Sequence, residues 1–179
     1  VVDAVKATTT FDKDCFRLGD NLKLMKTLDS NSVQMFHADP PYAIGYDNPD
    51  TQEAWNSVYL VEDIPHEIFE KLSLVLKEAW RVMAPGAHGY VWFHMSHYYT
   101  ILTMIKEMKF LVNPVPLFWV KDRHGGGMSP WTFANAMEPC FHFAKGEPRK
   151  SNHRGTKNWF QVEKVPDKDK VHPTEKPLR

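Results

Sequence analysis

The segment that most constrains this chain is Ala38-Asp39-Pro40-Pro41-Tyr42, which follows the apolar run of residues 32–37. The run has the composition of a buried strand, so the segment lies where that strand ends. Two consecutive prolines hold φ at about −65° and lack N–H donors, which predicts a stiff corner whose entering carbonyl can face a pocket. Asp39 adds an acceptor at the carboxyl end of a strand, where open α/β sheets bind ligands. The sequence therefore predicts a binding site at this corner.

The residue types of this corner suit one kind of ligand group. Tyr42 offers a flat ring for a nucleobase, and such stacking contributes about 1–3 kcal/mol per base. An acceptor side chain, an acceptor carbonyl and a stacking ring together fit an exocyclic amino group on a base. A protein reaches such a group by flipping the base out of the duplex. The alternative is a Pro-Pro turn after a strand, with an incidental tyrosine.

The tetrapeptide Asp39-Pro40-Pro41-Tyr42 resembles the catalytic motif of the amino-group DNA methyltransferases, which methylate adenine N6 or cytosine N4 with S-adenosylmethionine. The preceding order of Gly19-Asp20, a helix, a turn and a strand is similar to that family as well. The resemblance implies that the Asp39 carboxylate and the Pro40 carbonyl accept the amino hydrogens. It also implies that Tyr42 stacks on the flipped base, and that the amino nitrogen attacks the methyl group directly.

The last nine residues, VHPTEKPLR at 171–179, resemble the family segment that borders the methionine end of the cofactor. Because this segment follows the catalytic motif, the order implies the circularly permuted β-type subgroup with the Asp-Pro-Pro-Tyr motif first. The cofactor-binding residues that the resemblance implies are Asp20, Asn21, Asp39, His172, Pro173, Thr174 and Lys176. For Asp20 and Asn21, capping of the helix that follows is an equally good interpretation.

The expected fold is α/β, a Rossmann-like methyltransferase domain that spans residues 1–179 in partial form. In the permuted subgroup a glycine-rich cofactor turn comes after the closing segment, and no stretch of this sequence supplies one. Three explanations stay open: a fragment of a longer chain, a split enzyme completed by a homodimer partner or a second polypeptide, and a degenerate protein kept for binding. The first is favoured, because Val1 is not a start methionine and the chain ends within a motif.

Charge places the expected DNA contacts in one region. The chain has 22 basic and 22 acidic residues, so a phosphate-binding surface must come from local clustering. Residues 146–170 are expected to form a short basic recognition loop, with a merely solvated loop as the alternative. The polar stretch 43–62 is expected to be a lid over the base, although its aromatic residues fit surface packing equally well. The predicted DNA-binding residues are Tyr46, Lys145, Arg149, Lys150, Arg154 and Lys157.

Hydrophobic periodicity predicts alternating helices and strands, which is the order of a doubly wound sheet. One helix begins at an Asp63 N-cap and is stopped by residues 84–86, and a second is capped by Ser96 and runs over 97–108. Gly125-Gly126-Gly127 is not followed by a helix, so a loop is favoured over a phosphate-binding turn. Glu138 is given a structural role. The predicted strands cover residues 15–18, 33–37, 87–94, 115–120 and 141–146.

Several classes of protein do not fit the sequence. Cys15 and Cys140 lie far apart and form no C-x-x-C pair, which indicates a reducing compartment without disulfides or a zinc site. No metal site is expected, and His94 and His97 are interpreted as polar residues at a helix start. No apolar run reaches the roughly 18 residues of a membrane span, and no signal peptide opens the chain, so a cytoplasmic location is expected.

The sequence thus predicts a DNA methyltransferase that acts on double-stranded DNA, in a restriction-modification setting or a related one. Adenine N6 is favoured over cytosine N4, because the family's cytosine enzymes more often have serine at the position of Asp39. One alternative is a catalytically incompetent or split half that only binds nucleic acid. Another is methylation of RNA or of a protein amide, whose enzymes more often have asparagine at position 39.

Overall fold

The computed structural model describes residues 17–43, 65–121, 133, 135–150 and 155–162. Four of these ranges contribute to one six-stranded sheet with helices packed on it. The helices are α1 (Asn21–Met25), α2 (Pro65–Val82) and α3 (Tyr98–Glu107), with a 3-10 turn at Met95–His97 before α3. The strands are β1 (Val33–Ala38), β2 (Met83–Trp92), β3 (Leu111–Val112), β4 (Leu117–Val120), β5 (Met137–Ala144) and β6 (Trp159–Gln161).

The sheet is mixed, with the strand order β1-β2-β5-β4-β6 and β3 beside β5. β1 pairs with β2 in parallel, and β4 pairs with β6 in parallel. β5 runs antiparallel to β2, β3 and β4. The expected α/β class is confirmed, and its sheet includes one strand, β5, that inserts between β2 and β4 in the opposite direction.

The core lies between the sheet and the two longer helices. Helix α2 buries Leu72, Leu76 and Ala79, and helix α3 buries Ile101, Leu102 and Ile105, in each case at the spacing of one helical face. The strands contribute Val91, Phe141 and Phe143 to the same cluster. A smaller cluster of Trp92, Trp119 and Cys140 includes the partly buried Tyr42, so the corner after β1 is packed against the sheet.

The predicted stop after α2 is placed differently in the structure. The helix ends at Val82 and β2 starts at once, so residues 84–86 belong to the strand, where its register with β1 shifts. Gly86 has φ +78°, donates its N–H to the carbonyl of Lys145 at 2.7 Å and accepts from the Arg149 N–H at 3.1 Å. This irregular stretch therefore ties β2 to the end of β5.

Other boundaries also differ from the prediction. Ser96 is not the N-cap of the second helix: it lies in the 3-10 turn, which His94 caps by accepting from the Ser96 N–H. β4 begins at Leu117, so it is shorter than the strand predicted over 115–120. β5 begins at Met137, so it starts earlier than the strand predicted over 141–146. Of residues 15–18, only Arg17 and Leu18 are described, and they are not in a strand. Asp63 and the glycines at 125–127 lie outside the described residues.

Candidate active site at the carboxyl edge of the sheet

The Asp39–Tyr42 corner lies at the carboxyl end of β1, as predicted. The last paired residue of β1, Ala38, stands opposite Val91 of β2, so Asp39 emerges at the edge where β2 also ends. The Asp39 side chain is exposed, whereas Tyr42 is half-buried. After Tyr42, the backbone turns through Ala43, which is buried and has φ 52°. The corner thus presents a carboxylate to solvent beside an anchored aromatic ring.

Tyr42 is held by two carboxylates. Its hydroxyl lies 3.0 Å from Asp39 Oδ1 and 3.1 Å from Glu138 Oε2. Burial raises the pKa of the Tyr42 phenol far above its usual range, and the charges of Glu138 and Asp39 raise it further. Tyr42 is therefore a neutral hydrogen-bond donor at any physiological pH.

Glu138 comes from the middle of the sheet and carries a partner of its own. It stands in β5, opposite Trp119 of β4, and Lys121 follows β4 directly. Lys121 Nζ lies 2.5 Å from Glu138 Oε1, with side-chain exposures of 15% and 18%. The ammonium group also lies 5.4 Å from the ring centre of Trp119. The partly buried carboxylate is therefore compensated by a cation that is itself packed on an aromatic ring.

Three histidines and a tryptophan lie around the corner. His97 Nε2 donates to the Ala43 carbonyl at 3.2 Å, which fixes the backbone just after Tyr42. Trp92 Nε1 donates to His37 Nε2 at 2.8 Å and so links the ends of β1 and β2. Burial lowers the pKa of His94, the proximity of His97 lowers it further, and Glu138 opposes both effects. His94 is thereby kept neutral beside the corner.

A shallow, mainly apolar pocket opens beside the two prolines. Its walls come from the corner itself, from helix α2 and from the end of β2, with Pro40, Pro41, Phe69, Phe93, His94 and His97 among the lining residues. The ring of Phe69 packs edge-on against His97, with centroids 5.0 Å apart. The arrangement offers planar apolar surface next to an exposed carboxylate, which suits a flat ring that carries a polar group.

The predicted cofactor residues are only partly described. Asp20 caps α1, since its carboxylate accepts from the Lys23 N–H at 2.9 Å, and Asn21 is the first residue of that helix. The capping interpretation is therefore confirmed for Asp20. His172, Pro173, Thr174 and Lys176 lie outside the described residues.

Two of the predicted DNA-binding residues, Lys145 and Arg149, lie together at the amino edge of the sheet. Lys145 Nζ donates to Asn31 Oδ1 at 2.7 Å and to the Met83 carbonyl at 2.8 Å, at the amino end of β1. Arg149 lies at the same edge, where it bonds Gln34. This edge is about 16 Å from the corner, the length of a six-residue strand. Lys145 and Arg149 thus make bonds within the chain that support a structural role, and the DNA contacts predicted for them stay a prediction.

The rest of the basic segment is also less simple than the predicted loop. Residues 159–161 form β6, which adds to the sheet beside β4. Lys150 is exposed, and Lys157 is exposed with Nζ 4.7 Å from the centre of the Trp159 ring. Tyr46 and Arg154 lie outside the described residues.

Glu138 and Lys121 were missed as site residues by the sequence analysis. Their contact with the corner depends on the antiparallel insertion of β5, which brings Glu138 to a tyrosine 96 residues away. The available signal was the acid beside a proline at the start of a predicted strand, Glu138-Pro139. A carboxylate at the start of a strand needs either solvent at the edge of the sheet or a cation as a partner.

Comparisons with known proteins agree with this architecture. The profile of a DNA methylase family, the N6/N4 methylases, matches residues 33–179. No curated protein sequence is similar enough to count as a match. Among the described helices, none is both long and apolar enough to cross a membrane.

Solved structures share the fold at low sequence identity. The PvuII DNA methyltransferase, described as cytosine-N4-specific, has a TM-score of 0.60 and 17% identity, with 83% of this chain and 56% of that chain covered. The M1.HpyAVI–SAM complex has a TM-score of 0.55 and 12% identity, with coverages of 87% and 63%. A putative DNA modification methylase from Thermus thermophilus, complexed with S-adenosyl-L-methionine, has a TM-score of 0.52 and 14% identity, with coverages of 80% and 66%.

This chain spans between about half and two thirds of the length of these structures. Their likeness shows the fold, and the profile match extends over most of the chain, including β1, the Asp39–Tyr42 corner and β5. The chain belongs to the N6/N4 DNA methylase family.

Proposed function

We propose that this chain carries the catalytic corner of an S-adenosylmethionine-dependent DNA methyltransferase that methylates the exocyclic amino group of a flipped base. The observation that carries the proposal is the corner itself: an exposed Asp39 at the carboxyl end of β1, with the Tyr42 hydroxyl 3.0 Å from its carboxylate. Family membership supports DNA as the substrate. Adenine N6 is preferred to cytosine N4 because of the aspartate at position 39.

Some residues of the corner accept hydrogen bonds from the amino group, and others hold the base in position. Asp39 accepts one amino hydrogen and so makes the nitrogen lone pair more available for attack. The Pro40 carbonyl accepts the other, and Pro41 holds the corner stiff because both φ angles are fixed. The Tyr42 ring stacks on the base, and its anchored hydroxyl prevents the ring from turning away. Proton loss from the methylated nitrogen is directed to Asp39.

The cofactor would supply an electrophilic methyl group. Of the residues proposed to hold it, Asp20, Asn21 and Asp39 are described, and they are polar acceptors that suit the amino and hydroxyl groups of a nucleoside and the cation of a sulfonium. His172, Pro173, Thr174 and Lys176 complete the proposed set. Double-stranded DNA is the proposed partner, and Lys150 and Lys157, two exposed cations of the basic segment, are the residues proposed to contact it.

The test is transfer of labelled methyl groups from S-adenosylmethionine to duplex DNA by the full protein. Asp39→Ala is expected to lower the rate by at least about 100-fold, within the range that general acid–base and positioning effects provide. Asp29→Ala is the matched control, because Asp29 is equally exposed but lies in the turn before β1. DNA binding without any transfer by the wild-type protein would favour a non-catalytic binding role, and unchanged transfer by Asp39→Ala would refute the assignment of the corner.

A further inference from the structure

The most unusual feature of the site is a tyrosine hydroxyl placed between two carboxylates. Tyr42 has one hydroxyl proton, yet Asp39 Oδ1 and Glu138 Oε2 lie 3.0 and 3.1 Å from its oxygen. One proton cannot fully satisfy both acceptors at once. Two like charges on one hydroxyl also repel each other, so the arrangement costs free energy unless something compensates it.

Lys121 supplies that compensation from the Glu138 side. Its Nζ lies 2.5 Å from Glu138 Oε1, whereas the Tyr42 hydroxyl bonds the other carboxylate oxygen, Oε2. Glu138 therefore has a charged donor of its own that offsets its charge, so that it can share the Tyr42 proton with Asp39. The contacts form a series, from Lys121 to Glu138 to Tyr42 to Asp39, that runs along one edge of the sheet from the end of β4 to the end of β1.

The two ends of this series differ in how firmly they are held. Glu138 lies within β5, which is hydrogen-bonded on both sides, to β2 and to β4. Asp39 and Tyr42 lie in the connection after β1, which is one of the two edge strands of the described sheet. A group on a rigid element that holds a group on a loop is the usual way in which a reactive geometry is preorganised.

We propose that Glu138, with Lys121, is a positioning residue that acts through the Tyr42 hydroxyl to orient both the stacking ring and the Asp39 carboxylate. This inference rests on the proposed function of the corner and adds to it two residues from the far side of β2. Because Glu138 acts on the reacting groups through Tyr42, its effect on the reaction must disappear when the Tyr42 hydroxyl is removed.

A double-mutant cycle in the full protein tests that requirement. Tyr42→Phe keeps the ring for stacking and removes the hydroxyl, and Glu138→Ala removes the carboxylate. Each is expected to lower the kcat for DNA methylation by about tenfold, the scale of a lost hydrogen bond to a charged group. The double variant is expected to be no slower than the slower single variant, and Glu138→Gln is expected to recover part of the rate. If Glu138→Ala lowers kcat by the same factor in both backgrounds, the proposal is overturned.

A second measurement needs no substrate and separates this proposal from the proposed function. With 3-fluorotyrosine incorporated, the ¹⁹F resonance of residue 42, assigned by its loss in Tyr42→Phe, reports the surroundings of the phenol. Glu138→Gln is expected to shift this resonance, because one negative charge beside the hydroxyl is lost. Glu147→Gln, an exposed acid after β5, is the control and should leave the resonance unmoved. An unmoved resonance in Glu138→Gln would overturn the contact even in a protein that methylates DNA.

Discussion

Gly89→Ala tests the packing on which the position of the corner depends. Gly89 lies in β2, between Phe36 of β1 and Phe143 of β5. A Cβ at this position would lie 2.2, 2.4 and 2.8 Å from three ring carbons of Phe143. Non-bonded carbons pack at about 3.5–4.0 Å, so the ring would have to move by about 1.3 Å or more.

Phe143 has no room for such a movement. It is 1% exposed, and its ring contacts Phe110 at a centroid distance of 4.7 Å and Phe36 at 6.3 Å. Overpacking of this kind costs about 1–3 kcal/mol and occasionally more. We expect Gly89→Ala to lower the free energy of unfolding by about 3 kcal/mol, which shifts a urea midpoint by about 1–3 M.

Urea unfolding followed by tryptophan fluorescence measures this loss. Gly155→Ala is the comparison, because nothing lies within 4 Å of its Cβ position, although its φ of +78° still costs about 1–2 kcal/mol. Phe143→Leu removes the outer ring atoms, so Gly89→Ala/Phe143→Leu is expected to be less destabilised than the sum of the single changes. A loss below about 0.5 kcal/mol for Gly89→Ala, or strict additivity in the double variant, would refute the packing argument.

Three further predictions concern charged groups. Lys145→Met is expected to cost about 1–3 kcal/mol of stability, because the bonds to Asn31 and the Met83 carbonyl are lost, and to leave DNA affinity unchanged. Lys157→Ala is expected to leave stability unchanged, to weaken DNA binding and to reduce the salt dependence of binding by about one counterion. Chemical denaturation measures the stability, and fluorescence anisotropy measures the affinity. Arg81→Ala is expected to lower the free energy of unfolding by about 2–3 kcal/mol, since Arg81 donates to the Leu28 and Met25 carbonyls at 2.9 Å and ties α1 to α2. Arg81→Lys should recover less than half of the lost stability, because lysine lacks the planar fork. A lysine variant in urea that recovers most of the loss, or an alanine variant as stable as the wild type, would contradict this role of Arg81. His94 has a pKa below its unfolded value, so its contribution to stability is full above about pH 6.5 and is lost as the pH falls through the folded pKa. His94→Gln should therefore flatten the loss of stability between about pH 7 and 5, and an unchanged pH dependence of urea unfolding would contradict this.

Local features of the sequence predicted the parts of the site that depend on neighbouring residues. A helix cap was predicted at Asp20 or Asn21, and β1 was predicted over residues 33–37 and ends one residue later, at Ala38. A cap and an apolar run followed by prolines act within a few positions, so both can be recognised locally. The Asp39–Tyr42 corner was found in the same way, since its stiffness and polarity are properties of four consecutive residues.

Features that depend on distant pairing were not accessible in this way. The antiparallel direction of β5 depends on its pairing with β2 and β4, and the apolar pattern of its own residues is compatible with either strand direction. Glu138 was consequently taken as structural. Lys145 was grouped with its basic neighbours in the sequence, but the end of β5 directs it to Asn31 and the start of β2.

The measurement that tests the account most directly is the identity of the modified nucleoside. Duplex DNA is incubated with the full protein and S-adenosylmethionine, digested to nucleosides and analysed by mass spectrometry, in parallel with Asp39→Ala. The account predicts N6-methyladenine with the wild-type protein and its loss in the variant. N4-methylcytosine would keep the corner but change the base, whereas 5-methylcytosine, or equal N6-methyladenine from Asp39→Ala, would contradict the central claim that Asp39 directs the methyl group to an exocyclic amino nitrogen.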